Sequence, residues 1–160
     1  MPPTQRTAFL STPSLFYSIG RDARESAGHA LFDIDERYAS TPGFTRFDFE
    51  DVGALPSALH HSFDAVVIDP PFITPAVWRA YAAAAALLLR PDRPPRVIAT
   101  SIRENEGLLA ELFGPLLRRV AFMPSVPTLV YQYDVFTTFD APSFDAPNEE
   151  LGGDGSAVAR

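Results

Sequence analysis

The stretch FDAVVIDPPFITP, residues 63–75, decides how this chain is read. Val66, Val67 and Ile68 form a run of β-branched residues, the pattern of a strand covered on both faces in a parallel sheet. The run stops at a carboxylate, Asp69, followed by two prolines that have no amide hydrogen to give. Two readings follow. Asp69-Pro70-Pro71 can simply end a strand and start a helix, with Asp69 capping Ile73 or Thr74. Alternatively, the strand delivers Asp69 to the edge of a sheet, and the prolines keep their carbonyls out of helical hydrogen bonding and turned into a cleft.

On both sides of this stretch, short apolar runs alternate with longer helical patterns, which points to an α/β domain with a mainly parallel sheet. TAFLS, residues 7–11, is a first strand. Ser11-Thr12-Pro13-Ser14 supplies capping hydroxyls and a first-turn proline, so a helix is expected over residues 13–26, ended by Gly28. A second strand covers residues 30–35 and a third 44–49, separated by the turn Thr41-Pro42-Gly43. The fourth is the strand of the opening stretch, with at most a turn or two of helix before it at residues 55–60.

A long helix follows at residues 75–89, with Trp78, Tyr81, Ala85 and Leu88 at helical spacing and facing the core. RVIATS, residues 96–101, is a fifth strand, and residues 104–113 form a helix closed by Gly114-Pro115. Two last β-prone runs, 119–123 and 129–139, flank the short segment Pro124-Ser125-Val126-Pro127 and suggest an antiparallel hairpin. Residues 1–139 thus read as a single domain, and 140–160 as an acidic, disordered tail.

In an open parallel sheet, ligands sit beyond the carboxyl ends of the strands, and the acids of this chain fall there. Asp33 or Asp35 closes the second strand, Asp48 the third and Asp69 the fourth. A carboxylate after the second strand can accept from both hydroxyls of a ribose, with Asp35 preferred, and Asp48 can accept from an adenine amino group. Each can equally be a turn or cap residue, with Asp33 facing outward. The glycine-rich phosphate loop is missing, since no glycine precedes Gly20, which argues against a pyrophosphate cofactor. A ligand with a carboxylate end could still be held by hydroxyls and helix-start amides.

Beside Asp69, an amine would find acceptors in the carboxylate and the Pro70 carbonyl, while Phe72 supplies a flat wall for a base or an alkylammonium stem. Such a slot suits attack by an amine on a sulfonium methyl group, a displacement governed by alignment and desolvation. V-V-I-D-P-P-F resembles the [DNS]-P-P-[YFW] motif of S-adenosylmethionine-dependent amino methyltransferases. F-L-S-T-P-S-L-F, F-D-I-D-E-R-Y and F-D-F further resemble a family formerly described as adenine-specific methyltransferases and later assigned to lysine methylation of translation elongation factor 1-alpha. The resemblance spans residues 7–139. It implies a Rossmann-like class I methyltransferase fold, a seven-stranded sheet ending in an antiparallel hairpin, and S-adenosyl-L-methionine as cofactor. It further implies cofactor contacts from Ser11, Thr12, Ser14, Asp35, Asp48 and Asp69, and a catalytic segment of Asp69, Pro70, Pro71 and Phe72. The family's N-terminal helical region with its Gln-Phe-Trp-Tyr segment has no counterpart here, and P-S-V-P-T-L lacks the basic residues expected after Met123.

Composition narrows the function classes. The net charge is -7; residues 140–160 hold five acids and one Arg, or -4, leaving -3 for the rest, which disfavours a nucleic-acid partner. There is no cysteine, so no disulfide or thiolate metal site, and no metal is expected. All 13 basic residues are Arg, a bias of coding rather than function. With no long apolar window and no secretory leader pattern, a cytoplasmic protein with no membrane partner is expected. His29, His60 and His61 read as surface residues. The leading expectation is a protein-lysine N-methyltransferase acting on elongation factor 1-alpha. Its alternatives are an adenine-specific nucleic-acid amino methyltransferase, which would stack an extruded base on Phe72, and a non-catalytic methyltransferase-like subunit. Oligomeric state is not expressed in the sequence.

Overall fold

The computed structural model describes residues 5–125 and 130–148. Strands β1 (Thr7–Leu10), β2 (Ala30–Asp33), β3 (Phe44–Arg46), β4 (Ala65–Ile68), β5 (Arg96–Ser101), β6 (Arg118–Arg119) and β7 (Asp134–Thr137) form one seven-stranded sheet in the order β3-β2-β1-β4-β5-β7-β6. The first five strands run parallel, while β7 is antiparallel to both β5 and β6. The expected α/β architecture and the antiparallel carboxyl end are both present.

Alternation along the strands divides the core into two layers of unequal size. Ala8, Leu10, Phe32, Val66, Ile68, Val97 and Phe136 face α3 (Pro75–Leu88) and α4 (Glu106–Phe113). Trp78, Tyr81, Ala85 and Leu88 of α3 are buried there, as their spacing predicts. Phe9, Leu31 and Val67 point the other way and are covered by Phe16 of α1 (Pro13–Ser18), with Ile19, Tyr38 and Phe44 around them.

Several boundaries differ from the sequence expectation, each for a local reason. The helix expected over 13–26 is two short helices, α1 and α2 (Arg21–Ala27), broken at Ile19 and Gly20. Arg24 of α2 fastens the break, since its guanidinium donates to the Ile19 carbonyl at 2.6 Å and lies 4.7 Å from the Phe16 ring centre. Gly28 ends α2 in the left-handed region at φ 68, as expected of a glycine there. β2 and β3 stop earlier than expected because Asp35 and Asp48 each cap a 3-10 turn with their carboxylates.

The cap of α3 is Thr74, whose hydroxyl accepts from the Val77 amide, so Asp69 is free of that duty. Across the final antiparallel pair, the connection from Val120 to Tyr133 is longer than a tight turn, and β6 is only two residues long. Pro124 has no amide hydrogen to extend the ladder; the expected strand start at residue 129 lies outside the described residues. The beginning of the stretch expected as a tail is ordered: Pro142–Phe144 form a 3-10 turn, Phe144 packs on Phe139 at 5.8 Å, and its carbonyl accepts from the Phe122 amide. Residues 149–160 lie outside the described residues.

His29 is half-buried rather than free on the surface. Its Nδ1 accepts from the Thr7 amide at 3.1 Å and its ring meets Phe9 edge-on, so burial pulls its pKa down and keeps the accepting nitrogen unprotonated.

Candidate active site

Strand register builds the site. Leu10 pairs with both Phe32 and Ile68, and Ile68 pairs with Ala99. The residues that come next, Ser11, Asp33, Asp69 and Thr100, therefore stand in a row along the carboxyl edge of the sheet. β1 and β4 are neighbours there, and the chain winds outward from them in both directions, the point where an open α/β sheet leaves a crevice.

Asp69 lies at the centre of the row. Its amide donates to the Leu10 carbonyl at 3.3 Å, and its carboxylate accepts from the Thr100 hydroxyl at 2.6 Å. The side chain is open to solvent on one side, yet it sits in a recess with protein mass around it. That partial loss of hydration raises its pKa, and the Thr100 hydrogen bond offsets part of the rise. Pro70 is buried, Pro71 is exposed, and Phe72 stands 60% exposed at the mouth. The loop after the motif is held by Asn105, whose side-chain amide donates to the Ile73 carbonyl at 2.9 Å and to the Ser101 hydroxyl at 3.0 Å.

An aromatic wall runs from core to surface beside it. Phe47 meets Tyr81 at 5.3 Å, Tyr81 meets Phe49 at 6.1 Å, and Phe49 meets Phe72 at 6.4 Å. The Tyr81 hydroxyl is paired with Ser11 Oγ at 2.6 Å. Burial pushes the Tyr81 hydroxyl up to about 12; the Ser11 hydrogen bond offsets part of this, and the charges of Asp33, Asp69 and Asp48 add to it. Three strand-end carboxylates thus lie within electrostatic reach of one neutral phenol.

Tyr81→Phe is expected to cost about 1 kcal/mol of stability, because the half-buried Ser11 hydroxyl loses its partner. Urea denaturation checks this, and an unchanged midpoint would show that the pair contributes nothing net.

The residues singled out for a cofactor occupy this region in different states. Ser11 has a left-handed backbone at φ 55, uncommon for a residue with a side chain. Thr12 is buried and its hydroxyl has no partner among the described residues, so a polar group there would relieve an orphaned donor. Ser14 is exposed in the first turn of α1. Asp35 is engaged by Arg37, which donates from its amide at 3.0 Å and from Nε at 2.7 Å, and this pairing lowers its pKa. A diol would have to share it with Arg37. Asp33, the last residue of β2, accepts from the Asp35 amide through Oδ1 at 2.9 Å and is the β2 carboxylate that Tyr81 senses. Asp48 accepts from the Glu50 amide at 3.0 Å and has Arg46 at 3.8 Å from its other oxygen.

Sequence reasoning missed four contributors: Thr100, Tyr81, Asn105 and Tyr133. Tyr133 lies close enough for the Asp69 charge to raise its pKa beyond the effect of burial. Thr100, Tyr81 and Asn105 come from elements that follow the motif in sequence, and only packing brings them to it. A hydroxyl at the end of β5 was the one local signal available. Among the described residues, no group of three or more His, Cys, Asp or Glu is gathered to hold a metal ion, and no helix is long and apolar enough to cross a membrane.

Residues 2–141 match the family model described as probable N6-adenine methyltransferase. The chain belongs to that family. Among curated proteins, the EEF1A lysine methyltransferase 1 of Bos taurus is 26% identical over 139 residues, covering 85% of this chain and 59% of that protein. The Homo sapiens protein of the same name is 25% identical over 139 residues, with 85% and 62% covered. The chain therefore spans about three fifths of the length of these relatives. Among solved structures, TrmN from Thermus thermophilus superposes with a TM-score of 0.54 at 17% identity, covering 86% of this chain and 45% of that one. A SAM dependent methyltransferase from Archaeoglobus fulgidus gives a TM-score of 0.52 at 11% identity, with 83% and 85% covered. These likenesses establish the class I methyltransferase fold for this member of the family.

Proposed function

We propose that the protein is an S-adenosylmethionine-dependent N-methyltransferase that modifies a lysine side chain of a protein, with translation elongation factor 1-alpha as the substrate. The observation that carries the amine chemistry is Asp69, presented at the end of β4 at the switch point of the sheet, followed by Pro70, Pro71 and an exposed Phe72. Support for lysine over adenine comes from the curated relatives named for that activity and from a net charge of -7, which repels a phosphate backbone.

The cofactor fits the residues present. Ser11, the orphaned Thr12 hydroxyl and Ser14 would receive its amino-acid end, Asp33 or Asp35 its ribose, and Asp48 its adenine amine. S-adenosylmethionine supplies a sulfonium methyl carbon as electrophile.

The remaining work falls to side chains. Asp69 and the Pro70 carbonyl accept from the amine hydrogens and so aim the nitrogen lone pair. Phe72, with Phe49 behind it, lines the slot for the alkyl stem and keeps water from the amine. An arriving lysine must lose a proton before attack, and desolvation against this wall lowers its pKa in the required direction. The Tyr81 hydroxyl stays protonated and keeps Ser11 oriented.

The test is transfer of labelled methyl from S-adenosylmethionine to purified elongation factor, with DNA and RNA oligomers assayed in parallel. Label on a lysine of the elongation factor is the expected outcome. Label on adenine would replace this reading with the nucleic-acid one, which the family's description favours. Cofactor binding without label on any acceptor would identify a non-catalytic subunit.

A further inference from the structure

We propose that a second site, on the amino edge of the sheet opposite Asp69, binds a small phosphate-bearing anion. A cavity of about 660 Å³ opens there, within the size range of small-molecule sites. Arg90 and Arg93 from the connection after α3, and Arg96 at the start of β5, line it together with Asp64, Pro95 and Phe139. Arg96 and Thr100 are four residues apart on β5, so roughly 13 Å of strand separates this cavity from the row containing Thr100 and Asp69.

Charge balance singles the cavity out. The chain as a whole is at -7, yet the lining carries three guanidiniums against one carboxylate, or 3 − 1 = +2. Asp64 is shared: Arg93 donates to its Oδ1 at 2.9 Å, Arg90 reaches the same oxygen at 3.6 Å, and the Arg6 amide donates to Oδ2 at 2.9 Å. Asp92, exposed and outside the lining, meets the solvent side of Arg93 at 3.3 Å. Arg96 is the uncompensated cation. Among the described residues its guanidinium meets no carboxylate; it lies 4.0 Å from the Phe139 ring centre, and its buried Nε has no hydrogen-bond partner. The buried Nε of Arg90 also makes no hydrogen bond, its nearest carboxylate oxygen being Asp64 Oδ1 at 3.6 Å.

Guanidiniums from three positions converge on one cavity, and that of Arg96 meets no carboxylate among the described residues, an arrangement that calls for an anion with several oxygens. A phosphate monoester fits on three counts. Its negative charge matches the cationic excess of the lining, its three oxygens can meet forks arriving from separate directions, and Arg is the side chain whose planar fork suits phosphate.

Calorimetric titration of the full chain with inorganic phosphate and with adenosine monophosphate tests this. Saturable binding of at least one is expected, weakened at least tenfold in Arg96→Gln and in Arg93→Gln, and unchanged in Arg79→Gln, an exposed arginine of α3 away from both sites. Arg93 is partly exposed, so its variant guards against a folding defect at the more buried Arg96. Adenosine monophosphate binding tenfold tighter than phosphate would assign a nucleotide source, and equal affinities free phosphate. Absence of saturable binding by both, or affinities that both arginine variants leave intact, would overturn the proposal.

Discussion

Asp69→Asn is expected to lower methyl transfer on the order of 10²–10³-fold while leaving the protein at least as stable as before. Asparagine has nearly the same shape, and its carbonyl can still accept from the Thr100 hydroxyl. It offers an amide edge where the amine needs an acceptor, so alignment of the lone pair is lost.

The stability half of the expectation follows from the sign of the pKa shift. Partial burial raises the folded-state pKa of Asp69 above its ordinary value of 3.8. Its contribution to stability is therefore fully present below the unfolded pKa and is lost as pH rises through the folded one. At neutral pH the charge opposes folding, and a neutral replacement relieves that opposition. Thermal unfolding and initial rates, measured on the same preparations, check both halves; transfer within threefold of the parent would remove Asp69 from the proposed mechanism. In a carbon-13 NMR titration the Asp69 carboxyl should lose its proton at a pH above the usual aspartate range, and Thr100→Val should move that titration further upward by deleting the donor that holds the pKa down.

Trp78→Ala is expected to produce the largest loss of stability from a single side chain away from the site. Trp78 is fully buried in α3, and its ring meets Phe113 of α4 edge-on at 6.3 Å, joining both helices to the main core. Truncation of a buried aromatic costs about 3–5 kcal/mol. Its indole N–H has no partner among the described residues, and losing an unsatisfied donor returns part of that cost. The lower half of the range is therefore expected, equivalent to a fall in Tm of roughly 6–16 °C for a chain of this length. Trp78→Phe should cost less, since it keeps a ring and discards the orphaned N–H. A loss below 1 kcal/mol for Trp78→Ala would contradict the packing described. Because α3 also carries Tyr81, displacement of the helix should loosen Ser11 along with the core.

The family relationship and the class I fold were legible because their signals are local. A β-branched run stopping at Asp-Pro-Pro, a proline after Thr74, and a glycine at the end of α2 each act through their own backbone, with no distant partner required. Helical spacing placed Trp78 and Tyr81 in the core for the same reason. The failures were also local in origin. The break between α1 and α2 depends on an arginine that reaches back to carbonyls in the preceding helix, and strand ends at Asp33 and Arg46 depend on which carboxylates close turns.

By itself, the sequence determined the order of strands and helices, the carboxylate that ends β4, and the absence of a glycine phosphate loop, because each is a property of a few neighbouring residues. Tertiary structure alone decided the electrostatic state of those residues. Thr100 meets Asp69 across 31 positions and Tyr81 meets Ser11 across 70, while Arg96 on the opposite edge meets no carboxylate among the described residues. Hydration and charge at a site are set by whatever packs around it, and sheet order brings together partners that no spacing in the chain announces.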